Sequence, residues 1–156
     1  MIRIRDMTAD DLDTFVSLGK RMHNESIEPY PPIDPDFMQK YLEMAVSMPE
    51  IFLFAIAEDD GVPMGMVAAV AGPYSFSPEI RAASDLLFVL PEHRGSRAAI
   101  KLVQKFKGWS DSVGARTANL SVATGVSPER TGRFFELMGF RPMQKTYQRD
   151  RDVYGI

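Results

Sequence analysis

Two arginines beside a glycine, where an apolar run meets a helical pattern, form the most chemically pointed stretch of this chain. It lies between Ser84 and Gly114, where Leu86 to Leu90 is a continuous apolar run of a length that suits a buried strand. Pro91-Glu92-His93-Arg94-Gly95-Ser96-Arg97 follows, mixing a helix breaker, a glycine and two arginines. From Ala98 the period changes: Ala99, Leu102, Val103, Phe106, Trp109 and Val113 recur three or four residues apart, as one face of a helix. A strand passing through a glycine-containing loop into a helix start gathers unpartnered N–H groups and the positive end of the helix dipole at one point. With Arg94 and Arg97 beside those amides, the chemistry is anion binding, and phosphate is the anion it suits. Lys101, Lys105 and Lys107 extend the basic cluster, for which a solvated helix face is the plain alternative.

Composition narrows the chemistry further. The chain has no cysteine, which removes disulfides, a thiol nucleophile and thiolate metal sites, and suits a reducing cytoplasm. Two histidines, His23 and His93, are too few for a multi-histidine site, so no metal is expected. The 156 residues fit a single domain, 1–156, with one substantial core. Hydrophobic content of 45% against 25% charged is that of a soluble globular chain. No apolar run approaches the roughly 18 residues that span a bilayer. The N-terminal Met1-Ile2-Arg3-Ile4-Arg5-Asp6 lacks the apolar core of a secretory signal. A cytoplasmic location and no membrane partner are the expectations. The net charge of −3, from 18 basic and 21 acidic residues, disfavours broad binding to nucleic acid.

The elements that must position the loop are readable by period. Ile2 and Ile4 alternate with Arg3 and Arg5 as a strand, and Thr8 with Asp11 sets a capping pattern for a helix from Ala9 to Met22. Asp34 caps a second helix with Pro35 at its first position, its buried side lined by Phe37, Tyr41, Met44, Ala45 and Met48. Ile51 to Ala57 and Val62 to Ala71 read as strands joined by Asp59-Asp60-Gly61, with Pro63 and Gly65 marking a bulge or edge. Gly72 to Pro78 reads as a loop. After the long helix ended by Gly114, Ala118 to Val122 reads as a strand. A helix capped by Ser127 follows, with Pro128 at its first position, and then a last strand over Arg141 to Arg149 and a loose polar end. This order is not strict strand–helix alternation, so a mixed α/β (α+β) sheet with helices on both faces is expected rather than a doubly wound one.

This order, with Val89-Leu90-Pro91-Glu92-His93-Arg94-Gly95, resembles the GNAT superfamily of acyl-CoA-dependent N-acyltransferases over nearly the whole chain. The family's phosphate element is (Gln/Arg)-x-x-Gly-x-(Gly/Ala). Arg94-Gly95-Ser96-Arg97-Ala98-Ala99 aligns with it, Arg94 and Ala99 matching and Arg97 standing where glycine is usual. Phe135-Glu136-Leu137-Met138-Gly139-Phe140 is similar to the family's Tyr-Glu-x-x-Gly-Phe near the C-terminus. The resemblance implies a mixed, mostly antiparallel central sheet and acetyl-CoA as co-substrate. It implies that backbone amides from Arg94 to Ala99 hold the CoA pyrophosphate. The pantetheine arm would pair like an extra strand with Leu87, Phe88 and Val89, where the fourth strand separates from the fifth at a bulge. A backbone N–H there would polarise the thioester carbonyl. Arg97 either adds a charge-assisted contact to a CoA phosphate or points to solvent.

Transfer to an amine requires a neutral nitrogen, so a base or a water chain leading to one is expected. The resemblance puts Asp85, at the start of the fourth strand, near a carboxylate base of some relatives, and His23 and Glu25 on the loop bordering the acceptor. Each also has an ordinary role open to it, as a cap, a surface charge or a salt bridge. Many relatives place a tyrosine general acid where this chain has Phe135, beside the cofactor. Ser127 or Tyr147, acting through water, is the substitute; otherwise the thiolate leaves unaided, or turnover is weak or absent. Tyr30, Tyr74 and Phe76 lie on the two loops expected to frame a small-molecule or peptide amine, with Glu25, Glu28 and Asp34 nearby. The leading expectation is an acetyl-CoA-dependent N-acetyltransferase. A CoA-binding module without turnover and a modifier of nucleic acid are the other readings. Relatives are commonly dimers, and a homodimer stays open.

Overall fold

A computed structural model describes residues 1–27, 30–122 and 124–149. Glu28 and the polar end beyond Arg149 lie outside them. The elements run β1 (Ile2–Asp6), α1 (Leu12–Glu25), α2 (Pro35–Ser47), β2 (Phe52–Asp59), β3 (Val62–Tyr74), β4 (Ser77–Val89), α3 (Ala98–Ser112), β5 (Ala115–Asn119) and α4 (Pro128–Leu137), with short 3-10 turns at Ala9–Asp11 and Pro91–His93. Five strands form one sheet in the order β1-β2-β3-β4-β5. All pairs are antiparallel except β4–β5. This is the mixed, mostly antiparallel sheet expected. No helix among the described residues is long and apolar enough to cross a membrane.

Alternation along the central strands sorts side chains onto two faces. Phe54, Ile56, Met66, Ala68 and Phe88 meet Phe15, Leu18 and Met22 of α1 and Leu42 and Ala45 of α2. Leu53, Ala55, Val67 and Ala69 meet Ala98, Leu102 and Phe106 of α3 on the other. Both faces bury large apolar side chains, which is why β2 and β3 read as near-continuous apolar runs. Arg5 fixes the start of α1 to this sheet. Its Nη atoms donate to both Asp11 carboxylate oxygens at 2.8 Å, and its Nε donates to Glu58 of β2 at 3.1 Å. Asp11 also accepts from the Thr8 amide at 2.7 Å, so the expected capping pattern forms on the 3-10 turn that leads into α1. The Arg5 guanidinium, then the Thr8 amide, hold the Asp11 carboxyl below the usual aspartate range. The α2 cap is as expected, Asp34 accepting from the Phe37 amide at 3.1 Å.

Three expectations change. Gly72 to Pro78 is not a loop: Gly72, Pro73 and Tyr74 pair with Arg81, Ile80 and Ser77, so β3 and β4 form one long hairpin turning at Ser75-Phe76. Pro73 is tolerated because β2 pairing stops at Phe52↔Val70, leaving that stretch of β3 with a free edge. The fifth strand begins and ends three residues earlier than its apolar pattern predicts, at Ala115–Asn119. Residues 141–149 form no strand, although they alternate. Pro142 lacks a donor, every residue of the segment is exposed, and no burial fixes a register.

Gly65 supports β4 from behind. It pairs with Val89, and a Cβ placed on it would overlap the Phe88 carbonyl oxygen and lie 3.0 Å from Val89 Cα. A backbone neighbour cannot swing aside as a side chain can. Gly65→Ala is therefore expected to destabilise the fold by about 2 kcal/mol or more. Gly72→Ala, whose Cβ would meet nothing within 4 Å, should stay close to wild type in the same denaturant titration.

Candidate active site

The chain builds its cavity by letting one strand lose a neighbour. Pairing of β4 with β5 covers Ile80↔Ala115, Arg81↔Thr117, Ala82↔Ala118 and Ala83↔Asn119, and then stops. Beyond it, β4 runs on to Val89 held by β3 alone. The register shifts there: Ser84 faces Ala69 and Leu86 faces Ala68, leaving Asp85 as an extra, unpaired residue. Such a bulge bends and twists its strand. The wedge that opens is a cavity of about 380 Å³, walled by Leu87–Val89, by Arg94–Ser96, by Ser127 just ahead of α4 and by α4 residues including Thr131 and Phe135.

The loop at one end of the cavity is fixed by its own hydrogen bonds. The Arg94 amide donates to Pro91 O at 3.2 Å, the Ser96 amide to His93 O at 3.3 Å, and the Ala98 amide to Ser96 Oγ at 3.2 Å. Gly95 takes a φ of +88°, which favours glycine. The first helical bond runs from Lys101 N to Arg97 O. Of the amides expected to form an anion cradle, those of Gly95, Arg97 and Ala99 therefore have no acceptor among the described residues. Those of Arg94, Ser96 and Ala98 do. Arg97 replaces the usual glycine without strain, because its φ is −82°. Its side chain is exposed and carries no hydrogen bond or ion pair among the described residues.

Arg94, by contrast, is fully engaged. Its Nε donates to Val89 O at 3.0 Å, and its two Nη atoms donate to Glu25 at 2.5 and 2.6 Å. The guanidinium also lies 5.7 Å from the Phe88 ring centroid. Glu25 ends α1, so this pair joins the helix to the loop; Arg21–Glu92 at 2.8 Å is a second, exposed link between the same two elements. Glu25 thus stands in the cavity wall as a neutralised carboxylate.

The other candidates separate by position. Asp85 lies outside the cavity wall and is exposed, with no hydrogen bond or ion pair among the described residues; the partial desolvation that remains raises its carboxyl above the usual aspartate value. His23 lies outside the cavity wall, its Nε2 3.0 Å from Pro31 O and 3.3 Å from Tyr30 O. Two carbonyl partners put the proton on Nε2, making the ring a tie for the loop after α1. Tyr30 is partly exposed on that loop. Ser127 lines the cavity but makes no capping bond, contrary to expectation. Its backbone is left-handed, at φ 47° and ψ 58°, a strained conformation for a residue with a side chain. Phe135 is buried between Phe134 and Phe140, at centroid distances of 5.9 and 6.5 Å, with its ring on the cavity.

Tyr147, Tyr74 and Phe76 are not brought into this group. Tyr147 is 89% exposed on the C-terminal segment, because the strand that would have carried it does not form. Tyr74 and Phe76 sit at the hairpin tip, eight or more extended residues ahead of Asp85, which is about 25 Å. There the Tyr74 hydroxyl bonds to Thr117 Oγ1 at 2.6 Å, under the Arg81 guanidinium at 5.5 Å. Arg130 and Thr131 of α4 also line the cavity and were missed. Their signal was the spacing of Ser127, Thr131, Phe134 and Phe135, one helical stripe with two polar members.

A comparison by sequence with curated proteins finds no match. Solved structures do match in fold. An acetyltransferase from Trypanosoma brucei superimposes with a TM-score of 0.75 at 18% identity, covering 96% of this chain and 99% of that one. Glucosamine-6-phosphate N-acetyltransferase from Arabidopsis thaliana gives 0.77 at 14%, covering 96% and 98%. An aminoglycoside acetyltransferase from an uncultured soil metagenomic sample gives 0.74 at 17%, again covering 96% and 98%. The family model for the acetyltransferase (GNAT) family matches residues 19–140, which takes in the second half of α1, the split between β4 and β5, the Arg94–Ala99 loop and α4. The chain belongs to the GNAT acetyltransferase family.

Proposed function

We propose that the protein moves an acetyl group from acetyl-CoA to a primary amine, by direct attack of the amine on the thioester within one ternary complex. The open edge of β4 carries this reading. Leu87, Phe88 and Val89 wall a cavity that ends in an amide-lined loop, with no strand on their outer side. That arrangement suits a ligand with phosphate at one end and a flexible, amide-bearing arm at the other. The free amides of Gly95, Arg97 and Ala99 take the pyrophosphate, and the Arg97 guanidinium adds a charge-assisted contact. Arg94, held by Glu25 and Val89, fixes the loop.

The arm then runs back along β4 toward the bulge. Val89 is four residue steps from Asp85, about 13 Å of strand. The acceptor arrives as R–NH3+ and gives one proton to Asp85, and through it to solvent. The neutral nitrogen attacks the carbonyl carbon, the C–N bond forms and the C–S bond breaks, and a second nitrogen proton ends on the departing sulfur. A carboxyl with a raised pKa narrows the gap to the ammonium, which is what a base here needs. Phe135 has no proton to give. Ser127, in the same wall and free of capping duty, is the protein donor to the sulfur.

The absence of a hydroxyl at Phe135 also favours a second reading, a CoA-binding module without turnover. Incubating the protein with acetyl-CoA and primary amines while following free thiol separates the two. Amine-dependent thiol release is expected; tight CoA binding with no release from any amine overturns the transferase.

Two substitutions sort the carboxylates. Asp85→Asn should lower kcat/KM by about a hundredfold and remove the acidic limb of its pH profile. In wild type that limb should lie above the usual aspartate range. Stability moves oppositely. A raised folded-state pKa means the folded chain binds more protons, so stability falls as pH rises from the usual aspartate value through the raised one. The variant should therefore melt higher than wild type at neutral pH and match it at pH below that window. Glu25→Gln keeps an acceptor for Arg94 but adds net positive charge to the phosphate end. Its acidic limb should persist while KM for acetyl-CoA falls about twofold to fivefold.

A further inference from the structure

Three charged side chains stand in the wall of the cavity, and two of them cancel. Glu25 and Arg94 are joined through both guanidinium Nη atoms, which leaves Arg130 of α4. Arg130 is exposed and makes no hydrogen bond or ion pair among the described residues. Glu129 precedes it directly, and consecutive residues of a helix do not face one another. Arg130 also stands in the first turn of α4, where the helix dipole places partial positive charge. A guanidinium there is unfavourable until an anion lies beside it. Truncating such a side chain removes nothing that the fold uses.

Helix lengths fix the end of the cavity to which Arg130 belongs. Lys107 of α3 donates to Met138 O, just past α4, at 3.0 Å, and Phe106 stacks on Phe140 at 6.4 Å. Ala99 lies eight residues before Lys107, and Arg130 eight before Met138, about 12 Å of helix in each case. Ala99 and Arg130 both line the cavity, so the helices reach it side by side and Arg130 comes level with the start of α3. There the Gly95 and Ala99 amides have no acceptor among the described residues. Phe135 is five residues farther along α4, about 7 to 8 Å of helix away from that end. Free amides on one wall and a guanidinium on the other enclose one anion between them. Pyrophosphate has oxygens for both, one side meeting the amides while the other meets a planar fork of donors.

We propose that Arg130 binds the co-substrate, gripping its pyrophosphate from the wall opposite the loop. This rests on the acetyl-CoA reading and adds a cation to its phosphate site. Arg97, exposed and outside the wall, is left to the 3′-phosphate. The test is calorimetry of CoA and of 3′-dephospho-CoA into the full chain, which needs no turnover. Arg130→Ala should weaken both ligands by tenfold or more and by the same factor, with the melting temperature unchanged. Arg133→Ala, which removes the same charge from a residue of α4 outside the cavity wall, should weaken neither by more than twofold. In the thiol-release assay Arg130→Ala should raise KM for acetyl-CoA and leave kcat within twofold. Affinity for CoA unmoved by Arg130→Ala, or an equal loss in Arg133→Ala, overturns the proposal while the transferase stands. A loss for CoA that disappears with 3′-dephospho-CoA also overturns it, because the charge then answers the 3′-phosphate. Wild-type protein that binds neither ligand overturns the acetyl-CoA reading itself, and this proposal with it.

Discussion

The structure depends on a strand left half-paired. Backbone N–H and C=O groups are obligatory hydrogen-bonding groups, and a strand that loses a neighbour must find other partners or face an opening. Between Ser84 and Val89, β4 faces an opening. The bulge at Asp85 turns the strand away from β5, and the helix that follows starts where the two have separated. One irregularity thus opens the cavity, leaves Asp85 unpaired on the strand that leads to it, and precedes the loop that closes its end. The fold around it is conventional: two apolar faces, helices over each, and a basic side chain, Arg5, pinning the first helix to the sheet.

Charge is arranged in two tiers around that opening. Arg94 and Glu25 neutralise one another across the cavity wall, and Arg21 and Glu92 do so farther out. These pairs join α1 to the loop before α3. What remains without an acceptor or a counter-charge among these described wall residues is the Gly95 and Ala99 amides and the Arg130 guanidinium, with Arg97 beside the loop; Asp85 lies outside the wall. A cavity whose free groups are amide donors and arginine side chains suits an anionic ligand.

The Ser84–Gly114 unit was legible because three local signals coincide there: an apolar run, a glycine-containing loop with two arginines, and a change to helical period. Each is set by neighbours in sequence. The β3–β4 hairpin was not legible in full, because Gly72 and Pro73 announce a loop unless one knows that β2 has already stopped pairing at Phe52. The alternating residues 141–149 misled for the opposite reason, since a pattern without burial fixes no partner. Ser127 reads as a cap by its type, yet its left-handed backbone frees the hydroxyl.

Gly65 shows how such an opening is kept in register. On the closed side of β4, backbone meets backbone, with no side chain between them to change rotamer. The edge offered to the cavity is therefore set by main-chain geometry, and it has little conformational freedom left to lose when a partner arrives. A docking strand that is already ordered spends none of its ligand's binding free energy on becoming so. In this fold, a single missing Cβ on β3 sets how cheaply the opposite edge of β4 can be completed.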